Sequence, residues 1–396
     1  MATEPVSAIP PSTGAQTASV EGRAPSPHRL FSLDVLRGLT VALMILVNNA
    51  GDGDVSYAQL RHSAWNGCTL TDVVFPSFLF IVGASIVLAL RTRLMRGASR
   101  RSILMQVLRR SLTIFAIGLV LNALPGFHLG ELRYFGVMQR IALCYAIGSA
   151  VYLGGGIAAS ASAAALALAG YWWLLAHVPV PGFGMPGVNL PLLDPVGNLP
   201  AWLDRWLLPP AHLYHRSFYD PEGLLSTIPA VATTLLGVLS ASLLQASGSI
   251  QRRCVALLGA GAFFIGCGLC WSHWLPLNKR LWTSSYTLFT AGICMAAWAL
   301  VFWCVDGPPR LRRGITFSLA FGTNALTAYI LSELLAIGLS AIPTPGARNL
   351  QAFLYGLLPR WLGPPPFVSM LYSVLFVGVC LLPVYWLYRR RIFLKI

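Results

Sequence analysis

The residues with the clearest chemical potential in this sequence surround a single histidine. His62 lies in a polar connection between two apolar segments, with Asn48 near the end of the first and Asp72 in the opening turn of the second. An imidazole can accept a proton near neutral pH, a carboxylate can orient its ring, and an amide can donate to a developing oxyanion. The set predicts acyl transfer, with His62, Asn48 and Asp72 as catalytic residues. The structural alternative is a surface histidine beside a carboxylate that complements a helix dipole and an amide at a helix C-terminus.

Further polar residues lie inside or beside apolar runs, where they are costly unless they bind something or find partners. Carboxylates before an apolar helix suit the hydroxyls and ammonium of a sugar, although they also stabilise helix N-termini. An amide and a carboxylate in the run 315–340 are expected to line one cavity. A lysine and a tryptophan at a helix entrance would border that cavity, or would only anchor the helix at the interface. The substrate-binding candidates are Asp220, Glu222, Asn324, Glu333, Lys279 and Trp282.

The elements that position these residues are predicted to be membrane-spanning helices. Of the 396 residues, 56% are hydrophobic and 10% are charged, whereas about a quarter of the residues of a soluble domain are charged. This composition excludes a soluble enzyme, and it excludes disorder over most of the chain. Apolar runs long enough to cross a bilayer recur between polar breaks. They lie at about 32–50, 70–90, 108–124, 134–153, 157–178, 225–245, 254–274, 284–304, 315–340 and 367–388. The predicted fold class is an all-α polytopic membrane protein of about ten transmembrane helices, with a long loop between helices 5 and 6.

Basic residues orient the predicted bundle. Alternate connections carry eighteen Lys and Arg on one side and eight on the other, and Arg37 and Arg140 fall inside apolar runs. By the positive-inside rule both termini lie in the cytoplasm and the long loop is periplasmic. The net charge of +15 comes from arginine clusters between apolar runs, so no nucleic-acid partner is predicted. Residues 1–29, rich in Pro, Ala, Ser and Thr, are predicted to be a disordered cytoplasmic tail, and residues 30–396 a transmembrane acyltransferase domain.

Several sequence blocks together resemble the heparan-α-glucosaminide N-acetyltransferase family of transmembrane acyltransferases. They extend from residue 32 to the C-terminus, and they are specific as a set although no single block is. The blocks are SLDVLRGLT at 32–40, VN at 47–48, HSAWNG at 62–67, DVVFP at 72–76, VMQRI at 137–141, DR at 204–205, HLY at 212–214, YDPEG at 219–223, LNKRLWTSSY at 277–286 and RIFLKI at 391–396.

The resemblance implies transfer of an acetyl group from cytoplasmic acetyl-CoA, the co-substrate, to the amine of a glucosaminide on the far side of the membrane. The histidine of the HSAWNG block is the proposed catalytic residue of the family and corresponds to His62, with Asn48 and Asp72 at matching positions. Direct transfer with His62 as general base and a covalent acetyl-His intermediate both remain open. No metal is implied.

Because CoA carries phosphates, the resemblance also points to arginines as ligands. Arg140 lies in an apolar run and must face a partner, for which a CoA phosphate and Glu333 are alternatives. Arg37 would bind phosphate or form a local ion pair with Asp34, three residues earlier. The arginines of the loop 91–110 would form a cationic mouth for CoA, or would only set the topology. The predicted CoA-binding residues are Arg140, Arg37, Arg109 and Arg110.

Two departures from the lysosomal member of the family refine these expectations. The sequence lacks an N-terminal luminal domain, which favours a bacterial inner (plasma) membrane, and Ser332 stands where a histidine is expected, which leaves the acceptor sugar open. The competing functions are an amino-sugar transporter with Asp220, Glu222 and Glu333 as ligands, and an acyltransferase for another periplasmic glycan. No internal repeat supports the transporter. The expected partners are an amino-sugar acceptor and the lipid bilayer, and a homodimer is an open alternative for assembly.

Overall fold

The computed structural model describes residues 30–246, 248–307 and 314–394. Within these ranges the chain is helical, and its only β-pairing consists of isolated bridges. The tail predicted at 1–29 lies outside the described residues. The α-helices are α1 (Phe31–Asn48), α2 (Leu70–Met95), α3 (Arg100–Ala123), α4 (Val137–His177), α5 (Leu199–Leu207), α6 (Thr227–Gln245), α7 (Ile250–Trp271), α8 (Ser284–Asp306), α9 (Thr316–Thr323), α10 (Ala325–Ala341), α11 (Leu350–Gly356) and α12 (Pro365–Arg389).

Among the described residues, eight helices are long and apolar enough to cross a membrane, and the bent pair α9 and α10 would add a ninth crossing. The eight are α1, α2, α3, α4, α6, α7, α8 and α12. The short helices α5 and α11 belong to the connections. This confirms the predicted all-α polytopic membrane fold.

Helix α4 doubles back on itself. Its 41 residues would extend about 60 Å if straight, roughly twice the hydrocarbon thickness of a bilayer. Gly155 and Gly156 interrupt it with non-helical backbone angles, and Gly156 has a φ of +64° that favours glycine. Arg140 in the first arm lies over the Trp282 ring, while the Tyr171 hydroxyl in the second arm donates to the carbonyl of Leu281. Both arms therefore reach the same connection.

Paired glycines let the central helices approach closely. A Cβ placed on Gly38 of α1 would lie 1.8 Å from the carbonyl oxygen of Ser318 on α9. Likewise a Cβ on Gly83 of α2 would lie 1.8 Å from the carbonyl oxygen of Thr234 on α6. Small residues permit this contact between backbones, which is a main source of helix association in lipid.

The ninth predicted crossing is broken. The run predicted as one helix at 315–340 forms α9 and α10, bent by 85° where Asn324 interrupts the helix. The Asn324 amide donates to the carbonyl of Ile392 at 3.2 Å, and its side-chain oxygen accepts from the amide of Leu394 at 3.1 Å. The expectation that Asn324 lines one cavity with Glu333 is therefore wrong, because its polar groups hold the chain segment that follows α12.

The ends of the helices define two faces of the bundle. The His62 face carries the end of α1, the start of α2 and the long loop 178–226. The opposite face, here the Arg91 face, carries the end of α2, where Arg91 donates to Gln245 at the end of α6 at 2.6 Å. The connection between α2 and α3 is shorter than the loop 91–110 expected from the sequence. Arg109 and Arg110 lie within α3, because that helix already begins at Arg100.

Candidate active site

A cavity of about 500 Å³ opens at the His62 face. Its walls come from the end of α1, the start of α2, the first turn of α4, the middle of α10 and the loops on that face. The polar and charged side chains of interest that line it are Asn48, His62, Asp72, Arg133, Tyr214, Glu222, Lys279, Arg280, Tyr329 and Glu333. The volume lies within the usual range of small-molecule sites. We call it the His62 cavity.

Asp72 fixes the orientation of the His62 ring. The Nδ1 atom of His62 lies 2.7 Å from Oδ1 of Asp72, so Nδ1 donates to the carboxylate and the lone pair of a neutral ring is on Nε2. The other oxygen, Oδ2, accepts from the backbone amides of Ser63 and Thr69 at 3.1 Å and 3.0 Å and from the Thr69 hydroxyl. Asp72 thus forms the capping box of α2 and also holds the histidine. The sequence offered two roles for Asp72, orienting the imidazole and stabilising the start of a helix, and the carboxylate has both.

Lys279 approaches the same imidazole from another direction. Its Nζ atom lies 3.2 Å from Nε2 and 3.3 Å from Nδ1 of His62. An atom this close to both ring nitrogens cannot lie in the plane of the ring, because it would collide with the carbon between them. Nζ therefore lies over the face of the imidazole. Burial lowers the pKa of the Lys279 ammonium, and the carboxylates of Glu222 and Asp72 act in the opposite direction. Lys279 therefore borders the cavity as predicted, and its closest partner is His62.

The sequence analysis assigned no role to Arg133, yet this residue holds both loop carboxylates. It binds Asp220 in bidentate geometry, with Nε to Oδ2 at 2.8 Å and Nη2 to Oδ1 at 2.6 Å, and Nη2 also lies 2.5 Å from Oε2 of Glu222. Burial lowers the pKa of the guanidinium, but the two carboxylates outweigh that effect and raise it. Asp220 is buried and does not line the cavity, whereas Glu222 does. Both carboxylates therefore already pair with a protein cation.

A further buried carboxylate, Asp204, lies next to this ion pair. Asp204 on α5 accepts the backbone amide of Asp220 at 3.0 Å, and its other oxygen has no partner among the described residues. Burial raises the pKa of Asp204 to about 7. This layer of the loop is thus built from polar groups that support the cavity wall without lining it.

Two further candidates line the cavity. Asn48 ends α1 with its side chain exposed, and Glu333 lies in the middle of α10. Tyr329, one turn earlier on α10, interacts with the Glu333 carboxylate and lines the same cavity. The structure therefore brings Asn48, His62, Asp72 and Glu333 to one space, as expected.

Trp282 does not border the cavity, contrary to expectation. The side chain is fully buried, its indole N–H donates to the Thr233 hydroxyl at 3.1 Å, and its ring packs edge-on against Phe75. The residue has a φ of +53°, which turns the chain sharply after Lys279 and directs the indole into the core. Its role is packing rather than interfacial anchoring.

Arg140 lies near the His62 face and is 1% exposed. Its guanidinium donates to the carbonyl of Gly223 at 3.0 Å and to the hydroxyl of Ser226, and it lies 5.1 Å from the centre of the Trp282 ring. None of these contacts involves Glu333, the partner considered from the sequence. Nε and Nη1 have no hydrogen-bond partner among the described residues.

The other arginines that were predicted to bind CoA lie in two different parts of the structure. Arg37 lines a second cavity, of about 570 Å³, at the Arg91 face, together with Arg91 and Arg253. There Arg37 donates to the Ser85 hydroxyl at 2.7 Å and pairs with Asp34 at 3.1 Å. Arg109 and Arg110 line neither of these two cavities, and the guanidinium of Arg110 lies 5.1 Å from the centre of the Tyr145 ring. Because Arg140 is near the other face, the four arginines do not form one cluster.

Comparison with known proteins identifies the family. The family model for the catalytic region of heparan-alpha-glucosaminide N-acetyltransferase matches residues 29–264. The mouse protein named heparan-alpha-glucosaminide N-acetyltransferase is 30% identical over 366 residues, covering 80% of this chain and 55% of its own length. The human protein of the same name is 29% identical over 357 residues, covering 78% and 53%. The chain spans about half the length of these curated relatives. Since the family model covers more than half of the chain, this protein belongs to the heparan-alpha-glucosaminide N-acetyltransferase catalytic family.

Proposed function

We propose that the protein transfers an acetyl group from acetyl-CoA to the amine of a glucosamine-type sugar bound in the His62 cavity. The observation that carries the proposal is the 2.7 Å contact between His62 Nδ1 and Asp72 Oδ1, which leaves Nε2 as a base inside a cavity of small-molecule size. The name of the family and of its mammalian relatives supports N-acetyl transfer.

His62 has the task of removing the proton that the sugar amine loses. An amine attacks a thioester carbonyl only as the free base, so a bound ammonium needs a proton acceptor nearby. His62 Nε2 accepts this proton, and Asp72 stabilises the imidazolium that results. Asn48, which lines the same cavity, donates to the carbonyl oxygen as negative charge develops there. An acetyl group carried covalently on Nε2 is a variant of the same arrangement.

Glu333 is the acceptor ligand that the geometry favours. The other two candidate carboxylates, Asp220 and Glu222, already pair with Arg133. Glu333 lines the cavity from α10, and within the described parts of the chain the side chain that interacts with it is Tyr329. A carboxylate and a phenol at this depth suit an ammonium and a sugar hydroxyl. We assign Asp220 to holding Arg133 and Glu333 to holding the acceptor.

The cavity at the Arg91 face suits the phosphates of CoA. Arg37, Arg91 and Arg253 line it, and Nε of Arg253 has no partner among the described residues. Arginine is well matched to phosphate because its N–H groups form a planar fork. Arg37 and Asn48 are eleven residues apart on α1, a rise of about 16 Å, which is the distance that an acyl-bearing arm has to bridge. The excess of basic residues at this face supports cytoplasmic termini in a bacterial inner membrane.

The decisive experiment is incubation of purified protein with isotope-labelled acetyl-CoA and a panel of amino sugars. We expect label in an N-acetyl sugar, and a loss of about 10²–10⁴-fold in turnover for His62→Ala. His273→Ala is the matched control, because His273 is exposed and does not line the cavity. Uptake of an amino sugar into proteoliposomes without any acetylated product would favour the transporter and overturn the proposal.

A further inference from the structure

Lysine is scarce in this chain. The sequence contains two lysines, Lys279 and Lys395, and every other basic residue except histidine is arginine. One of the two lies in the His62 cavity, where it lines the wall beside Glu222. Arginine supplies positive charge at every other position in this cavity. A primary amine at 279 therefore introduces a chemical group that the rest of the cavity lacks.

The position of this amine matches that required of an acceptor. The Nζ atom lies 3.2 Å from His62 Nε2, which is hydrogen-bond distance from the atom assigned to accept the proton of the sugar amine. It also lies over the ring face rather than in the ring plane. A nucleophile attacks a planar carbonyl group from above its plane, so an acyl group held beside Nε2 would present its reactive carbon to an amine on this side.

The amine can also reach its nucleophilic form. Burial lowers the pKa of Lys279, although Glu222 and Asp72 partly oppose this shift. A lowered pKa increases the fraction of free amine near neutral pH, which is how lysine becomes a nucleophile in proteins. Arginine at the same position would stay protonated.

We propose that Lys279 is an internal acceptor, which the enzyme acetylates when no sugar amine occupies the cavity. The lone pair of neutral Nζ forms a C–N bond with the thioester carbonyl carbon, and the C–S bond breaks with its electron pair leaving on sulfur. Rotation about the bonds of the flexible lysine stem brings Nζ towards the ring plane, where His62 Nε2 takes the proton released by nitrogen, and this proton neutralises the departing CoA thiolate. The products are Nε-acetyl-lysine and CoA thiol. This inference rests on the proposed function, because it needs acetyl-CoA to reach the same cavity.

The consequence of this reaction is a slow loss of activity. An amide of lysine has no charge and does not return its acetyl group, so the modified side chain would stay over the His62 ring. A sugar amine that binds first would occupy the space and protect Lys279. Acetylation at 279 should therefore compete with transfer to the acceptor.

The test uses the purified full-length chain and isotope-labelled acetyl-CoA without any sugar, followed by peptide mass spectrometry. Lys395 serves as the internal control for non-enzymatic acetylation. We expect the acetylated fraction at Lys279 to exceed that at Lys395 at least tenfold, and to fall when an accepted amino sugar is added. In His62→Ala the excess at Lys279 should disappear, whereas in His273→Ala it should persist.

Three other outcomes would overturn the inference. If sugar is acetylated while Lys279 reacts no faster than Lys395, Lys279 is not an internal acceptor, although the proposed function stands. If Lys279 reacts equally fast with and without a saturating sugar, the two amines do not share a position. If neither sugar nor Lys279 is acetylated, the proposed function fails together with the inference.

Discussion

Replacement of Arg133 by alanine gives the most direct test of how the His62 cavity is built. Arg133 makes three short contacts with two carboxylates, at 2.8 Å and 2.6 Å to Asp220 and at 2.5 Å to Glu222. Arg133→Ala would leave these like charges close together with no cation between them. We expect a destabilised protein rather than one that merely binds its acceptor weakly.

The magnitude follows from the burial of the three groups. Removing one partner of a buried ion pair typically costs about 3–5 kcal/mol. The Arg133 side chain is 21% exposed and borders the cavity, so water would partly replace it and the lower end of that range applies. An unfolding entropy of about 2.1 cal/mol/K per residue makes 1 kcal/mol correspond to roughly 1.2 °C of Tm for a chain of 396 residues, so we expect Tm to fall by about 4 °C.

The pH dependence distinguishes this cause from a general packing defect. Burial alone would raise the pKa of Glu222, but Arg133 holds it below its usual value. The ion pair therefore stabilises wild type above the unfolded pKa of the carboxylate, and this stabilisation is lost as the pH falls through the lower folded value. In Arg133→Ala the unpaired carboxylates favour protonation, so the variant gains relative stability as the pH falls. The difference in Tm should be widest near pH 8 and should narrow in acid.

The assay is thermal unfolding in detergent across this pH range, with Arg216→Ala as the matched control. Arg216 also forms a 2.5 Å ion pair, with Glu131, but both side chains are more than half exposed. Exposed pairs of this kind contribute about 0–1 kcal/mol, so the control should melt close to wild type. If Arg133→Ala melts like the control, or if its deficit does not change with pH, Arg133 does not hold the loop together.

Other changes test the loop layer, the helix crossings and the orientation. Burial raises the pKa of Asp204 from 3.8 to about 7, so wild type should lose stability as the pH rises through that window; Asp204→Asn should flatten the Tm profile there, and an unchanged profile would count against this assignment. A Cβ on Gly237 of α6 would lie 1.9 Å from a backbone oxygen of α2, so Gly237→Ala should sharply reduce the yield of monodisperse protein on size exclusion, whereas Gly378→Ala, which meets nothing within 4 Å, should not. In a cysteine-free background, an impermeant thiol reagent should label His215→Cys from the periplasm and Ala98→Cys only from the cytoplasm; the reverse pattern would contradict the proposed direction of transfer.

The contact between His62 and Asp72 was accessible from the sequence because the two residues are close along the chain. His62 and Asp72 are ten residues apart, and the start of α2 between them follows from an apolar run with a capping pattern. The membrane-spanning helices were accessible for a similar reason, since hydropathy is a property of consecutive residues. The break at Asn324 did not disrupt that apolar pattern, so the bend between α9 and α10 could not be read from it.

The partners of charged groups were not accessible in this way. Arg133 and Asp220 are 87 residues apart, and nothing near either one specifies the other. The same applies to Trp282, whose burial depends on α2, α4 and α6 meeting around it. A tryptophan next to a lysine at a helix entrance is typical of an interfacial anchor, and only the positive φ of Trp282 turns its ring inward.

The hydrogen bonds of Asn324 have a consequence for how the protein is made. Its amide group bonds to Ile392 and Leu394, the latter 70 residues further along the chain. A ribosome that has just released α9 and α10 into the membrane has not yet produced these partners. The side chain of Asn324 therefore lacks these two partners until α12 and the segment after it have been synthesised. The bend between α9 and α10 is therefore completed by the segment that follows α12, and a chain that stops before this segment leaves the Asn324 side chain without these two partners.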